Sequence, residues 1–441
     1  NPTQDPAARF IGPGAWRHGL SYGLLGLPLA FVALPLYVVL PNHYARSFAV
    51  PLAALGAVLL GARLFDAFID PLIGRWCDAA FRRSVTGVLW LGALASALLA
   101  LGFAGLFFPP AALGASAALL AWAVAGLLLT YTAYSVVSVA HQSWGAMLGG
   151  DEAQRARVVA WREALGLVGV VLAAVLPSLA GLGVTATVFA LCLAVGCWAW
   201  TGALRPVPDV APRTETLASV WAPLRQPAFA RLLGVFMVNG IASAVPATLV
   251  LFFVQDRLQA PKAMEPLFLG LYFAAGALSF PLWLKVIDRI GLLRTWAAGM
   301  ALSVLAFVSV VTLGAGDTTG FLVVCAVSGM ALGADLTVPG ALLNQLIDRC
   351  GERGRTDGAF MGWWNLATKL NLALAAGLSL PLLGLWGYAP GQQGADAVLA
   401  LGLAYGLLPC VLKLLAGLAL YGGLMRRPDL ILGPETAHPS A

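Results

Sequence analysis

Charge is scarce in this chain. Asp, Glu, Lys and Arg together make up 10% of the 441 residues, against 60% hydrophobic ones. A soluble domain carries about a quarter charged residues, so a chain of this composition cannot clothe a water-facing globule. Enzyme signatures are missing too. There is no G-x-x-x-x-G-K-[ST] loop and no H-E-x-x-H helix, which removes the usual ATPase and metalloprotease chemistries, and the one G-x-S-x-G match, Gly19–Gly23, opens a long apolar run where a hydrolase elbow needs a strand-to-helix turn. Neither a D-D-x-x-D nor an H-x-x-x-x-D pattern occurs, so a membrane-embedded prenyl or acyl transferase has nothing to work with. Cys77, Cys192, Cys197, Cys325, Cys350 and Cys410 are scattered, without a C-x-x-C or a Cys/His cluster. They read as small apolar residues with free thiols, and no disulfide, metal or organic cofactor is expected.

What the chain does have is apolar length. Its mean hydropathy is +0.85, and twelve apolar runs each suffice to cross a hydrocarbon core of about 30 Å. They fall at 19–40, 49–76, 85–108, 113–147, 158–180, 182–204, 228–255, 265–288, 294–314, 319–347, 357–385 and 396–424. The expectation is an all-α membrane protein of twelve transmembrane helices. A cleavable signal peptide is not expected, because the polar start NPTQDPAARF leads into a run too long for an h-region. Arginines and lysines crowd the breaks on one side, as at Arg75, Arg82, Arg83, Arg155, Arg157, Arg289, Arg294, Arg353 and Arg355, while the other side holds only Arg46, Arg257 and Lys262. By the positive-inside rule both termini are then cytoplasmic. The net charge of +6 faces anionic lipid and calls for no nucleic acid. The chemistry implies an integral protein of a bacterial inner (plasma) membrane, working as a monomer.

The longest polar break, 205–227, is rich in proline and charge and divides the runs six and six. The expected organisation is a first bundle over 1–204, a linker over 205–227, a second bundle over 228–425 and a cytoplasmic tail over 426–441. Similar segments recur in the two halves: GRWCDAAFRR at Gly74–Arg83 and LKVIDRIGLLR at Leu284–Arg294. Asp78, Arg82, Asp288 and Arg289 in them, with Arg155 in the break after the fourth run, are candidates for ion pairs that open and close as a gate, or for topology charges alone.

A few charges lie inside the runs, where each costs on the order of 3 kcal/mol and so marks an ion or solute path by default. Asp66 and Asp70 are four residues apart on one helical face, with Arg63 one turn earlier,. Two stacked carboxylates in a low-dielectric site cannot both ionise at neutral pH unless a cation, a proton or Arg63 compensates them. That is what a coupling site needs; a structural ion-pair cluster is the competing reading. Ser135 or Ser138 on the fourth run could add an oxygen ligand. Lys369 lies too deep to snorkel and must meet an anion, either Asp66, Asp70, Asp335 in the tenth run or an anionic group of a solute. Arg162, His141, Tyr134, Trp364 and Asn365 complete the candidates for a solute cavity, each with a packing alternative.

The run from Arg63 to Asp78, R-L-F-D-A-F-I-D-P-L-I-G-R-W-C-D, resembles the second-helix signature R-x-x-D-A-x-x-D-P-x-x-G-x-x-x-D of the glycoside-pentoside-hexuronide:cation symporters. These form the melibiose-permease branch of the major facilitator superfamily, to which sodium-dependent lysophosphatidylcholine symporters are also similar. Asp151–Arg157 with Trp161-Arg162, and Ile347–Gly358 running into Ala367-Thr368-Lys369-Leu370, resemble the family's loop after helix four and its eleventh-helix region. The resemblance implies a major facilitator fold of two six-helix bundles, alternating access, and a coupling proton or sodium ion at the second-helix aspartates, with the eleventh-helix lysine and fifth-helix arginine near the cavity. The position before Asp70, an amide in that branch, is Ile69 here, which leans toward protons. The branch also grips sugar hydroxyls with acids on helices one and four, and here the first run has none while the fourth carries Ser138. Expected solutes are therefore glycoside-like by resemblance, or lipid-like, amphipathic or anionic by local chemistry. Export, lipid flipping, or a receptor that has lost transport are the alternatives.

Overall fold

The computed structural model describes residues 10, 14–114, 117–148, 152–206, 217–349, 357–392 and 394–427. No strand occurs among them. Twelve helices are long and apolar enough to cross a membrane: α1 (Ala15–Ser47), α2 (Leu52–Arg83), α3 (Val85–Phe107), α4 (Ala117–Ala146), α5 (Arg157–Leu179), α6 (Gly181–Thr201), α7 (Pro227–Arg257), α8 (Lys262–Ile290), α9 (Leu292–Val310), α10 (Thr318–Ile347), α11 (Ala359–Leu385) and α12 (Ala395–Met425).

These spans match the apolar runs in number and order, but α2 continues seven residues past the expected end, through the stretch read as a polar break. Nothing in GRWCDAAFRR opposes a helix, since alanine and arginine are strong helix formers. The stop comes from Ser84, which adopts an extended backbone and whose hydroxyl accepts the Gly87 N–H at 3.0 Å, capping α3,. In the corresponding place of the second half, α8 stops at Gly291, whose φ of +78° admits little but glycine,. The proline-containing α1 is not one uninterrupted α-helix. Two α-helical stretches, Ala15–Gly23 and Gly26–Leu34, lead into one wide π turn at Pro35–Val39 before the helix resumes at Leu40–Ser47, because a proline ring removes a donor and crowds the preceding turn. Similar π turns occupy Phe253–Arg257 in α7 and Leu403–Leu407 in α12.

The chain divides into two compact units, one of Asn1–Val50 with Val58–Pro212 and one of Pro51–Ala57 with Arg213–Ala441. Within the first unit α1 packs on α5 and α6, and α3 on α4 and α6. Inside the second unit α7 packs on α11 and α12, and α9 on α10 and α12. These four contacts correspond one to one between the units, as expected of a duplicated six-helix unit, and in the second unit α8 also packs on α10. Phe229, Trp296, Leu342, Leu346, Phe360 and Leu420 are central to the apolar core of the second unit.

Small residues set the close contact between α1 and α5. On α1, Gly23 and Gly26 lie so close to α5 that a Cβ on Gly26 would sit 2.6 Å from the Arg162 carbonyl oxygen,. Gly26→Leu is expected to force α1 and α5 apart at a cost of about 1–3 kcal/mol, read as a fall in the thermal midpoint of detergent-solubilised protein. An unchanged midpoint would contradict the contact.

Candidate functional site

The first polar centre lies inside the first unit. Asp66 on α2 is fully buried, and the Ser135 hydroxyl on α4 donates to its Oδ1 at 2.9 Å. Arg63 approaches only to 3.8 Å, Nη1 to Oδ2, which attracts without forming a hydrogen bond. The guanidinium instead lies over the Tyr131 ring, its Cζ 4.2 Å from the centroid. Asp70, one turn further along α2, is half-buried. Carboxylate and hydroxyl oxygens are ligands for a hard cation such as sodium, and a buried carboxylate is equally a seat for a proton. The spacing of Asp66 with Asp70, and of Tyr131 with Ser135, is one helical turn in each case, so this chemistry follows from two facing helix stripes.

Ser138 does not share Ser135's role. It lies one turn nearer the end of α4, accepts a hydrogen bond from Gln142 Nε2 at 2.8 Å, and lines a separate cavity of about 140 Å³ with Tyr134, His141, Gln142, Arg162 and Glu163. Arg162 binds Glu163 through Nε and Nη2, at 3.1 and 2.6 Å from Oε1. A guanidinium, carboxylate, amide, phenol and hydroxyl thus surround one small space, with Gly26, Leu29 and Ala30 of α1 as its apolar wall. His141 contributes to this wall chiefly as packing. Its ring stacks on Tyr22 at 4.3 Å, its Nε2–H donates to the Tyr22 carbonyl at 2.8 Å, and it meets Trp200 edge-on. Glu163, which from the sequence is a weaker candidate than Arg162 and reads as a lipid-edge or interhelical polar contact, lines this cavity.

The second unit corrects the reading of Asp335. The sequence offered it as a cavity residue and partner for Lys369; the structure gives it to Lys413 of α12, whose Nζ lies 2.5 Å from Oδ2. Ser243 donates to Oδ2 at 3.0 Å, while Asn239 and Trp296 donate to Oδ1 at 2.9 and 3.2 Å. Four helices, α7, α9, α10 and α12, meet at this one carboxylate. Lys413 is buried, and an ammonium so placed needs an anion. Asp335 is the one charge of the tenth run and Lys413 the one charge in the interior of the twelfth, of opposite sign, and that was the available signal.

Lys369 is half-buried on α11 and Asn365 is exposed. Trp364 is committed to packing, stacked on Phe236 of α7 with ring centroids 3.8 Å apart. Arg82, Asp288 and Arg289 are exposed at helix ends, and no ion pair among the described residues engages them; isolated pairs at such positions contribute little in any case. The side chains of Asp78 and Arg155 lie outside the described residues. At the far ends of the helices, Arg257 donates to the carbonyls of Val311, Leu313 and Val398 at 2.7, 2.9 and 3.1 Å, and buried Asp256 accepts from Tyr388 Oη and from the Gly391 N–H. These residues close helix termini, a structural use for a charge that the sequence offered only as a topology marker.

Comparison with known proteins follows the same lines. The family model of MFS/sugar transport proteins matches residues 21–422. No curated protein sequence matches the chain. Among solved structures, the nucleoside transporter NupG superposes with a TM-score of 0.69 at 13% identity, covering 92% of this chain and 99% of that one. A bacterial homolog of the human lysosomal transporter Spinster, inward-facing and unoccupied, gives 0.69 at 12% identity over 98% and 100%. A D-xylose-proton symporter gives 0.66 at 14% identity over 93% and 98%. At such identities the likeness is one of fold.

Proposed function

The chain belongs to the MFS/sugar transport protein family and is a membrane transporter, and from that premise we propose that it is a secondary active symporter, coupling a proton or sodium ion at Asp66 and Asp70 to uptake of a hydroxylated, glycoside-like solute by alternating access. The observation that carries the coupling is the fully buried Asp66, held by a neutral hydroxyl at 2.9 Å while its nearby guanidinium stands 3.8 Å away. A buried carboxylate with a hydroxyl oxygen beside it offers hard oxygen ligands to a cation or a seat to a proton, and either offsets the cost of its charge in a low-dielectric interior. Both termini lie in the cytoplasm and the membrane is a bacterial inner membrane, on the strength of the arginine distribution.

The solute class rests on the cavity lined by Tyr134, Ser138, Gln142, Arg162 and Glu163. Its mixture of donors and acceptors suits neighbouring hydroxyls, and Glu163 on α5 offers the carboxylate that α1 and α4 lack. A second reading, an amphipathic anion, is favoured by Arg162 beside the apolar wall of Leu29 and Ala30. Uptake of radiolabelled glycosides, lysolipids and organic anions into proteoliposomes decides between them. Glycoside uptake whose KM rises about tenfold in Glu163→Gln, as expected when a charged hydrogen bond is replaced by a neutral one, supports the first. Transport of lysolipid or organic anion with no glycoside uptake overturns it.

A further inference from the structure

His141 is fully buried on α4 and lines the cavity of Tyr134, Ser138, Gln142, Arg162 and Glu163. Its ring is fixed by Tyr22 and Trp200. The Nε2–H donates to the Tyr22 carbonyl at 2.8 Å, and the Tyr22 hydroxyl donates back to the His141 carbonyl at 3.2 Å. The two rings stack 18° from parallel, and Trp200 stands at 87° to the imidazole. Gly145 makes the room for this, because a Cβ there would overlap the Tyr22 hydroxyl. A carbonyl only accepts, so the proton sits on Nε2 and the neutral ring presents a lone pair at Nδ1. That nitrogen is buried and has no hydrogen-bond partner among the described residues. Around the cavity no other described residue carries a buried polar atom in that condition. An acceptor taken out of water and left unpaired is costly, and the space beside the ring is the cavity it lines.

We propose that His141 is a specificity-determining residue for the solute: its Nδ1 accepts a hydrogen bond from one hydroxyl of the glycoside held in the cavity. The proposal rests on the reading of that cavity as the solute site. A hydroxyl can turn its hydrogen toward the lone pair. A fluorine, an ether oxygen or a carboxylate oxygen at the same place faces it lone pair to lone pair and leaves Nδ1 unpaired. Most of the discrimination comes from that penalty, as at any site built around a buried polar atom. Because Tyr22 and Trp200 hold the ring, it cannot turn away to relieve the mismatch. Nδ1 thereby separates hydroxylated solutes from the anionic amphiphiles that Arg162 and the apolar wall alone would admit.

The test replaces one solute hydroxyl at a time by fluorine, which nearly keeps the size and cannot donate. Methyl pyranosides of glucose, galactose and xylose, with their monodeoxyfluoro forms, are measured as inhibitors of radiolabelled pyranoside uptake into proteoliposomes. In wild type, fluorine at the position that meets Nδ1 is expected to raise the inhibition constant about tenfold. His141→Gln sets an amide N–H where the Nε2–H stood, so the bond to the Tyr22 carbonyl is kept while the acceptor at Nδ1 is removed. In this variant the parent pyranoside is expected to bind about tenfold more weakly and the fluorine penalty at that one position to vanish, while penalties at other positions persist. A wild-type protein that tolerates fluorine at every position overturns the role of His141 without recourse to any variant. Equal penalties in wild type and His141→Gln overturn it as well, and in both cases pyranoside uptake stands and the solute reading is spared. Absence of any pyranoside uptake overturns the solute reading itself.

Discussion

Asp66→Asn is expected to abolish concentrative uptake in proteoliposomes while sparing downhill exchange of the same solute. With the membrane potential clamped at zero, a tenfold cation gradient stores about 1.4 kcal/mol per ion. One cation per solute therefore sustains a tenfold solute gradient. Asparagine keeps the size of the side chain and can still accept from Ser135, which in the native protein donates to Asp66 at 2.9 Å, so the helix contact survives. It carries no charge to balance a cation, and the accumulation ratio is expected to fall to one. Counterflow of labelled against unlabelled solute needs no net cation movement and serves as the control for folding. Retained tenfold accumulation in the variant would contradict the assignment.

The second large effect concerns stability. Lys413→Met removes the countercharge at 2.5 Å from Asp335 and leaves the carboxylate with Ser243, Asn239 and Trp296 as its neutral donors. Removing one partner of a buried pair costs about 3–5 kcal/mol, enough to depress the thermal midpoint and folded yield severely. Asp335→Asn combined with Lys413→Met neutralises both sides and is expected to recover most of that loss, since replacing a whole buried pair by neutral groups is often tolerated. A single variant as stable as wild type would show that the pair has another anion or cation to turn to.

The twelve spans were legible because the bilayer demands a fixed apolar length, and that demand is written in composition. Helix ends were less so. The α2 terminus depends on one hydroxyl, that of Ser84, inside a stretch whose charges suggested a loop. Asp66 was legible because helical spacing and a family signature agreed on one face, whereas Ser135 was one of two serines on the fourth run offered as an oxygen donor, and the choice between it and Ser138 needed the packing of α4 on α2. Asp335 and Lys413 were visible as isolated charges, but their pairing depends on α10 and α12 converging with α7 and α9, a fact of tertiary packing that no local pattern records. Trp364 illustrates the same limit: an aromatic residue on an apolar helix reads alike whether it lines a cavity or, as here, stacks on Phe236. Arg63 was foreseen as the counter-charge of Asp66, yet its preference for Tyr131 required coordinates, because the tyrosine lies 68 residues away in sequence.

The coupling claim is tested most directly by solute-driven cation entry. Proteoliposomes holding wild-type protein and an internal pH or sodium indicator are presented with a transported glycoside in the absence of any imposed cation gradient. The account predicts cation uptake that begins on solute addition, saturates with solute concentration and disappears in Asp66→Asn. Solute entry at an undiminished rate with neither proton nor sodium movement would contradict it.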